Sequence, residues 1–211
     1  MLNVLDWLRK RSLTGRIATK LYGSTVAQAR KPGFYTDFGV PDTPNGRYEM
    51  IVLHMFLVLQ KLRETNAKGD KLSRALVEQF VTDMDDSLRQ LAVGDTVVPK
   101  KVKKAAAGLL ERVRNYGQAT SCAQPMEQLS RALGSYVFDV SSPEAPPPGA
   151  DLLARYVMEC RERLTIGPGG TAQGFVAPAN FAEPGELGDA SNLAEITPRA
   201  AATAARGEQT P

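Results

Sequence analysis

One histidine, one tryptophan and two cysteines in 211 residues leave little material for a conventional reactive centre. Cys122 and Cys160 stand 38 positions apart, and neither has a second Cys or a His at metal-ligand spacing. Metal ligation is therefore not indicated, and a reduced compartment is the simplest setting. Cys160 falls on an apolar helical stripe and reads as a buried thiol; nothing supports a regulatory disulfide. The lone His54 lies in the middle of the most apolar stretch, without a second His to form a metal pair. It reads as a satisfied core or groove side chain, with a catalytic base in a small all-α enzyme as the rival. No phosphate-cradling loop is present, because Gly167 to Gly170 is not followed by Lys-Ser/Thr. Asp83, Asp85 and Asp86 project in different directions from one helix, and no nucleophile has a base at recognisable spacing. No catalytic residue, metal or cofactor is assigned, and the chemistry that remains is binding. The longest apolar run, Met50 to Leu59, falls far short of the ~20 residues that cross a bilayer. Met1 to Leu8 is broken by Asp6 and followed by Arg9, Lys10 and Arg11, so no secretory signal is visible. No segment alternates with period 2, which excludes a sheet protein.

What is there is helical. A chain that is 43% hydrophobic and 23% charged can bury one sizeable core. The centre of the pattern is Tyr48 to Leu62, where apolar residues surround the helix at about 100° per residue and Leu53 and Phe56 fall among Glu49, Gln60 and Glu64. Such a helix must be enclosed by others or covered on one side by something else. Leu72 to Leu91 is two-faced, with Leu76, Val77, Phe80, Val81, Met84 and Leu88 opposite Arg74, Glu78, Asp85, Asp86 and Arg89. It reads as an outer helix laid against the first.

Around this pair the chain divides into three parts. Residues 1–20 form a basic amphipathic helix: Leu5, Trp7 and Leu8 beside Arg9, Lys10 and Arg11 suit either a membrane surface or a terminal helix docked on the core. Residues 21–166 form the helical domain. Phe34, Tyr35 and Phe38 follow the break at Lys31-Pro32-Gly33 as a single turn capping one end of the core. Asp42 to Arg47 carries charges that could make a site, or simply sets the approach of the central helix. A third long helix starts near Pro99, with Val102, Leu109, Val113 and Tyr116 on a narrow face and Lys100, Lys101, Lys103 and Lys104 opposite. Four cations there oppose the helix dipole at ~0.3 to 1 kcal/mol each, which argues for a binding role, with a solubilising lysine face as the alternative. Pro125 opens a shorter helix, Ser141 to Gly149 is a stiff non-helical linker, and Asp151 to Leu164 is the last helix. Residues 167–211 hold 7 Gly, 5 Pro and 11 Ala among 45 positions and are expected to be disordered. With five acids and two arginines that tail is net −3, leaving +6 on the rest of a chain whose total is +3. A basic body hints at an anionic partner. The expected architecture is an all-α single bundle of six or seven helices around Tyr48 to Leu62.

Several short motifs in one order narrow this further: Leu21-Tyr22-Gly23, Val26 to Arg30, Phe34-Tyr35, Val40 to Thr43, Gly46-Arg47 and Leu53 to Leu57. Phe80, Asp83-Met84-Asp85, Ser87-Leu88-Arg89, Val93-Gly94-Asp95 and Lys100 to Lys104 continue the series. Together they resemble the ubiquinol-cytochrome c chaperone family. The resemblance implies a non-catalytic assembly factor for respiratory complex III that holds newly made cytochrome b, docks near the ribosomal tunnel exit, associates peripherally with the inner membrane and works with a small partner subunit. The absence of a long targeting extension points to a bacterial, alphaproteobacterial-like member on the cytoplasmic face, with mitochondrial matrix placement for a eukaryotic one. On this reading Leu53, His54 and Phe56 line an apolar client groove rimmed by Phe34, Tyr35 and Phe38. Lys100, Lys101, Lys103 and Lys104 meet ribosomal RNA or anionic lipid. A plain RNA-docking adaptor using those lysines is the alternative; no small-molecule substrate is expected.

Overall fold

A computed structural model describes residues 4–64, 67–91, 94–140 and 146–164, with side chains from residue 13 onward except at 67 and 68. The expectations for residues 167–211, and for the side chains of Leu5, Trp7, Leu8, Arg9, Lys10 and Arg11, lie outside the described residues. Among these the chain forms seven helical segments and no strand: α1 (Val4–Ala29), α2 (Gly33–Thr36), α3 (Pro44–Arg63), α4 (Ala67–Gln90), α5 (Val98–Ala119), α6 (Pro125–Val137) and α7 (Pro148–Arg163). The all-α bundle expected from the periodicity is present.

Helix α3 begins where its sequence supplies both an acceptor and a fixed φ. Thr43 Oγ1 accepts the Gly46 N–H at 3.1 Å and Pro44 occupies the first helical position, which needs no donor. The start is therefore several residues earlier than the apolar run suggests. Gly46 is required there, since a Cβ would lie 2.0 Å from the Pro41 carbonyl oxygen. From Glu49 to Leu59 every residue is buried, Leu53 at 0% and Phe56 at 1% exposure. The open groove expected along this helix is thus a correction. Leu53 and Phe56 share a face with Glu49, and α5 closes that face: Phe56 meets Tyr116 edge-on at 5.5 Å, and Arg112 pairs with Glu49.

The outer helices are tied by polar contacts between α1 and α4. Thr19 Oγ1 donates to Gln79 Oε1 at 3.1 Å and Tyr22 Oη to Asp83 Oδ2 at 2.8 Å. Both sequence numbers rise together, so α1 and α4 run parallel. α1 is continuous across Lys20 and buries Ile17, Ala18, Leu21 and Tyr22 against the core. At the far end of the chain, α7 begins at Pro148, so Pro148 and Gly149 are helical and not part of the linker expected there. Proline is compatible with a first turn, and Pro147 before it is extended at φ −64°, ψ 152°. A Cβ on Gly149 would stand 2.1 Å from the Phe38 carbonyl oxygen, which is how closely α7 approaches the segment after α2. Ser130 Oγ donates to Asp151 Oδ1 at 2.5 Å and joins α6 to α7.

Candidate functional surface

The residues expected to receive a client converge, but into the core. Phe34 stacks edge-on against Phe38 at 5.6 Å, His54 at 5.2 Å and Tyr156 at 5.0 Å. Phe34, Phe38 and His54 are all at most 2% exposed. Tyr35 alone is half-buried, and its hydroxyl donates to the Ala29 carbonyl at 3.1 Å. The rings do cap one end of the core, as expected for a single turn at α2, but they do not rim an opening.

His54 is satisfied on both nitrogens. The Met50 carbonyl can only accept, so the Nδ1 contact at 2.8 Å places the proton on Nδ1, and Tyr156 Oη donates to Nε2 at 2.7 Å. Gln28 Nε2 in turn donates to Tyr156 Oη at 3.3 Å. Burial pulls the His54 pKa down to about 4; the bond to Met50 opposes this and the Lys31 cation adds to it. A neutral, enclosed imidazole gives no access to a substrate, which corrects the rival placement of His54 in an enzyme pocket. Surface depressions of about 440 Å³ and 310 Å³ lie elsewhere, the first lined by Gln118, Cys122 and Gln128 and the second by Met126, Asp151 and Arg155. Among the described residues no group of three potential metal ligands occurs. None of the helices searched there is long and apolar enough to cross a membrane.

One buried charge pair escaped the sequence reading. Glu49, 1% exposed at its side chain, receives two bonds from Arg112, Nη2 to Oε1 at 2.8 Å and Nε to Oε2 at 3.2 Å. The guanidinium also lies 4.1 Å from the Tyr136 ring centre. Desolvation still raises the Glu49 pKa, with Arg112 working against it. Close by, Tyr48 Oη donates to the Ala105 carbonyl at 2.9 Å, and a Cβ at Gly108 would stand 2.6 Å from that hydroxyl. Burial pushes the Tyr48 phenol up to about 12. The sequence signal was an arginine inside an otherwise apolar face of α5.

On the outside, Lys100, Lys101, Lys103 and Lys104 are all exposed on the first turns of α5, as their spacing requires. Among the described residues no ion pair reaches them. Arg47 and Asp42 instead form an exposed bidentate pair, 2.5 and 3.1 Å, which braces the segment before α3. Arg89 takes Asp85 at 2.6 Å and Asp95 at 2.9 Å, folding the turn after α4 back on itself. Tyr22, Asp83, Arg89 and Asp95 therefore hold the fold together. Among the described residues five large apolar side chains remain exposed: Leu13, Leu91, Val97, Leu110 and Met126.

The described residues thus form an all-helical bundle with a sealed core and a basic corner. The model of the family described as ubiquinol-cytochrome c chaperone matches residues 36–169, and this chain belongs to that family. A crystal structure described as the Cbp3 homolog from Brucella abortus superposes with a TM-score of 0.71 at 33% identity, covering 88% of this chain and 100% of that one. No curated protein sequence matches the chain.

Proposed function

We propose that this protein is a non-catalytic assembly chaperone of respiratory complex III whose client is newly made cytochrome b, acting at the cytoplasmic face of a bacterial inner membrane. The observation that carries this reading is membership of the ubiquinol-cytochrome c chaperone family across residues 36–169. The closed core refines how the client is met. Drawing Phe34, Leu53 and Phe56 out to a groove would forgo roughly 1.5–3 kcal/mol of burial for each, a large part of the stability of a domain this size. The client therefore rests on the outer surface, while the core stays shut. The four lysines of α5 give the chain a docking place for an anionic surface, and a small partner subunit would add its own surface.

The test is crosslinking in cells assembling complex III, followed by purification of the tagged chain and identification of cytochrome b in its adducts. Enrichment of cytochrome b, with loss of assembled complex III when the gene is deleted, is the expected result. Normal complex III in the deletion strain together with no cytochrome b in the adducts would refute the reading.

A further inference from the structure

We propose that the corner between α4 and α5 is a membrane contact, with Leu91 and Val97 set among lipid head groups and Lys100, Lys101, Lys103 and Lys104 on the phosphates. This deepens the membrane-side placement above and rests on it. Leu91 is 72% exposed and Val97 42% exposed, on either side of one turn. The Val97 carbonyl accepts the Lys101 N–H at 3.1 Å, so the apolar pair and the lysines belong to one continuous corner.

Three features favour an anionic lipid surface. First, Arg89 bridges Asp85 and Asp95 while Asp86 stands exposed beside them, so with the four lysines the corner carries five cations against three acids. The corner is therefore net positive, and the positive end of the α5 dipole adds to it. A lipid phosphate plane answers both, and turns the unfavourable clustering of four cations at a helix start into a favourable one. Second, the exposed apolar groups are aliphatic. RNA rewards aromatic stacking platforms, and among the described residues none of the exposed large hydrophobic side chains is aromatic. Third, the lysines fan over an arc of about 160° around the axis at 100° per residue. A fan at one end suits end-on approach to a plane, whereas side-on docking would need a stripe. Leu110, 61% exposed, lies roughly 20 Å further along α5 at 1.5 Å per residue, and stays clear of the surface.

This contact is also separate from residues 9–11. Because α1 and α4 are parallel, the start of α1 lies beside the start of α4, at the opposite end from Leu91.

Co-sedimentation of the full chain with phosphatidylcholine vesicles, with and without phosphatidylglycerol, tests the proposal. Binding should require the anionic lipid and fall with salt. L91S/V97S should weaken it about tenfold, and each Lys→Gln replacement among the four by about fivefold. L110S should bind as the unaltered chain does, and unchanged urea midpoints will show that all variants fold. Vesicle binding by L91S/V97S equal to the unaltered chain overturns the corner, as does loss of binding only on replacing Arg9, Lys10 and Arg11 by Gln. So does tight binding of ribosomal RNA that Leu91 and Val97 do not affect, with none to vesicles. If the unaltered chain ignores anionic vesicles, the corner and the membrane-side placement fail together, but cytochrome b capture would stand.

Discussion

His54 makes the protein's stability depend on pH in a direction its surroundings dictate. In the unfolded chain the imidazole titrates near 6.5, and in the folded chain near 4. Between those values the unfolded state holds a proton that the folded state lacks, so stability falls as the pH drops from 6.5 towards 4. Each pH unit in that window is worth about 1.4 kcal/mol, and the whole shift about 3 kcal/mol. At pH 5.0 about 2 kcal/mol should already be lost relative to pH 7.5. Carboxylates also titrate below pH 6, so the comparison must be with a chain that keeps them and lacks the imidazole. His54→Gln retains a side chain able to bond Tyr156 and does not titrate. Urea unfolding followed by circular dichroism at several pH values gives both curves. The variant should be less stable at neutral pH, because a well-packed ring and its two hydrogen bonds are altered. The gap should close by about 2 kcal/mol on going to pH 5.0. Curves that stay parallel from pH 7.5 to 5.0 would show that His54 titrates normally in the folded state and is not enclosed as described.

Arg112→Ala should lower stability by about 3–5 kcal/mol in urea unfolding, because it strands the buried Glu49 carboxylate. Adding Glu49→Leu should restore much of it, and a single-variant loss below about 1 kcal/mol would mean that water reaches Glu49. Gly149→Ala should cost about 1–3 kcal/mol through collision with the Phe38 carbonyl and the Phe138 ring. Gly117→Ala meets nothing within 4 Å and should stabilise α5 by up to about 1 kcal/mol. Equal effects of the two alanines on the thermal midpoint would contradict the close approach of α7.

Helix periodicity reported the faces, and it reported them well wherever a face has one owner. The two-sided pattern of α4, the basic fan on α5 and the apolar collar of α3 all reappear as read. Periodicity failed at matching faces between helices. The polar Glu49 made its side of α3 resemble an outer face, so Leu53 and Phe56 looked available; its partner Arg112 lies 63 residues away. A carboxylate at helical spacing reads as solvated until a guanidinium from another element is placed over it, and nothing in one sequence fixes that pairing. Similarly, Pro148 and Gly149 read as linker because both residues disfavour a helix interior, whereas the first turn tolerates them and the Phe38 carbonyl requires the glycine. The motif residues carried a further ambiguity. Tyr22 with Asp83 and Arg89 with Asp95 hold α1, α4 and the turn before α5 in place, so these motif residues serve the architecture and do not mark where a client sits. The residues best placed to meet a partner, Leu91 and Val97 beside the lysines, stand out only once their exposure is known. An aliphatic side chain in a turn is unremarkable in sequence, and becomes informative when the fold has had the opportunity to bury it and has not.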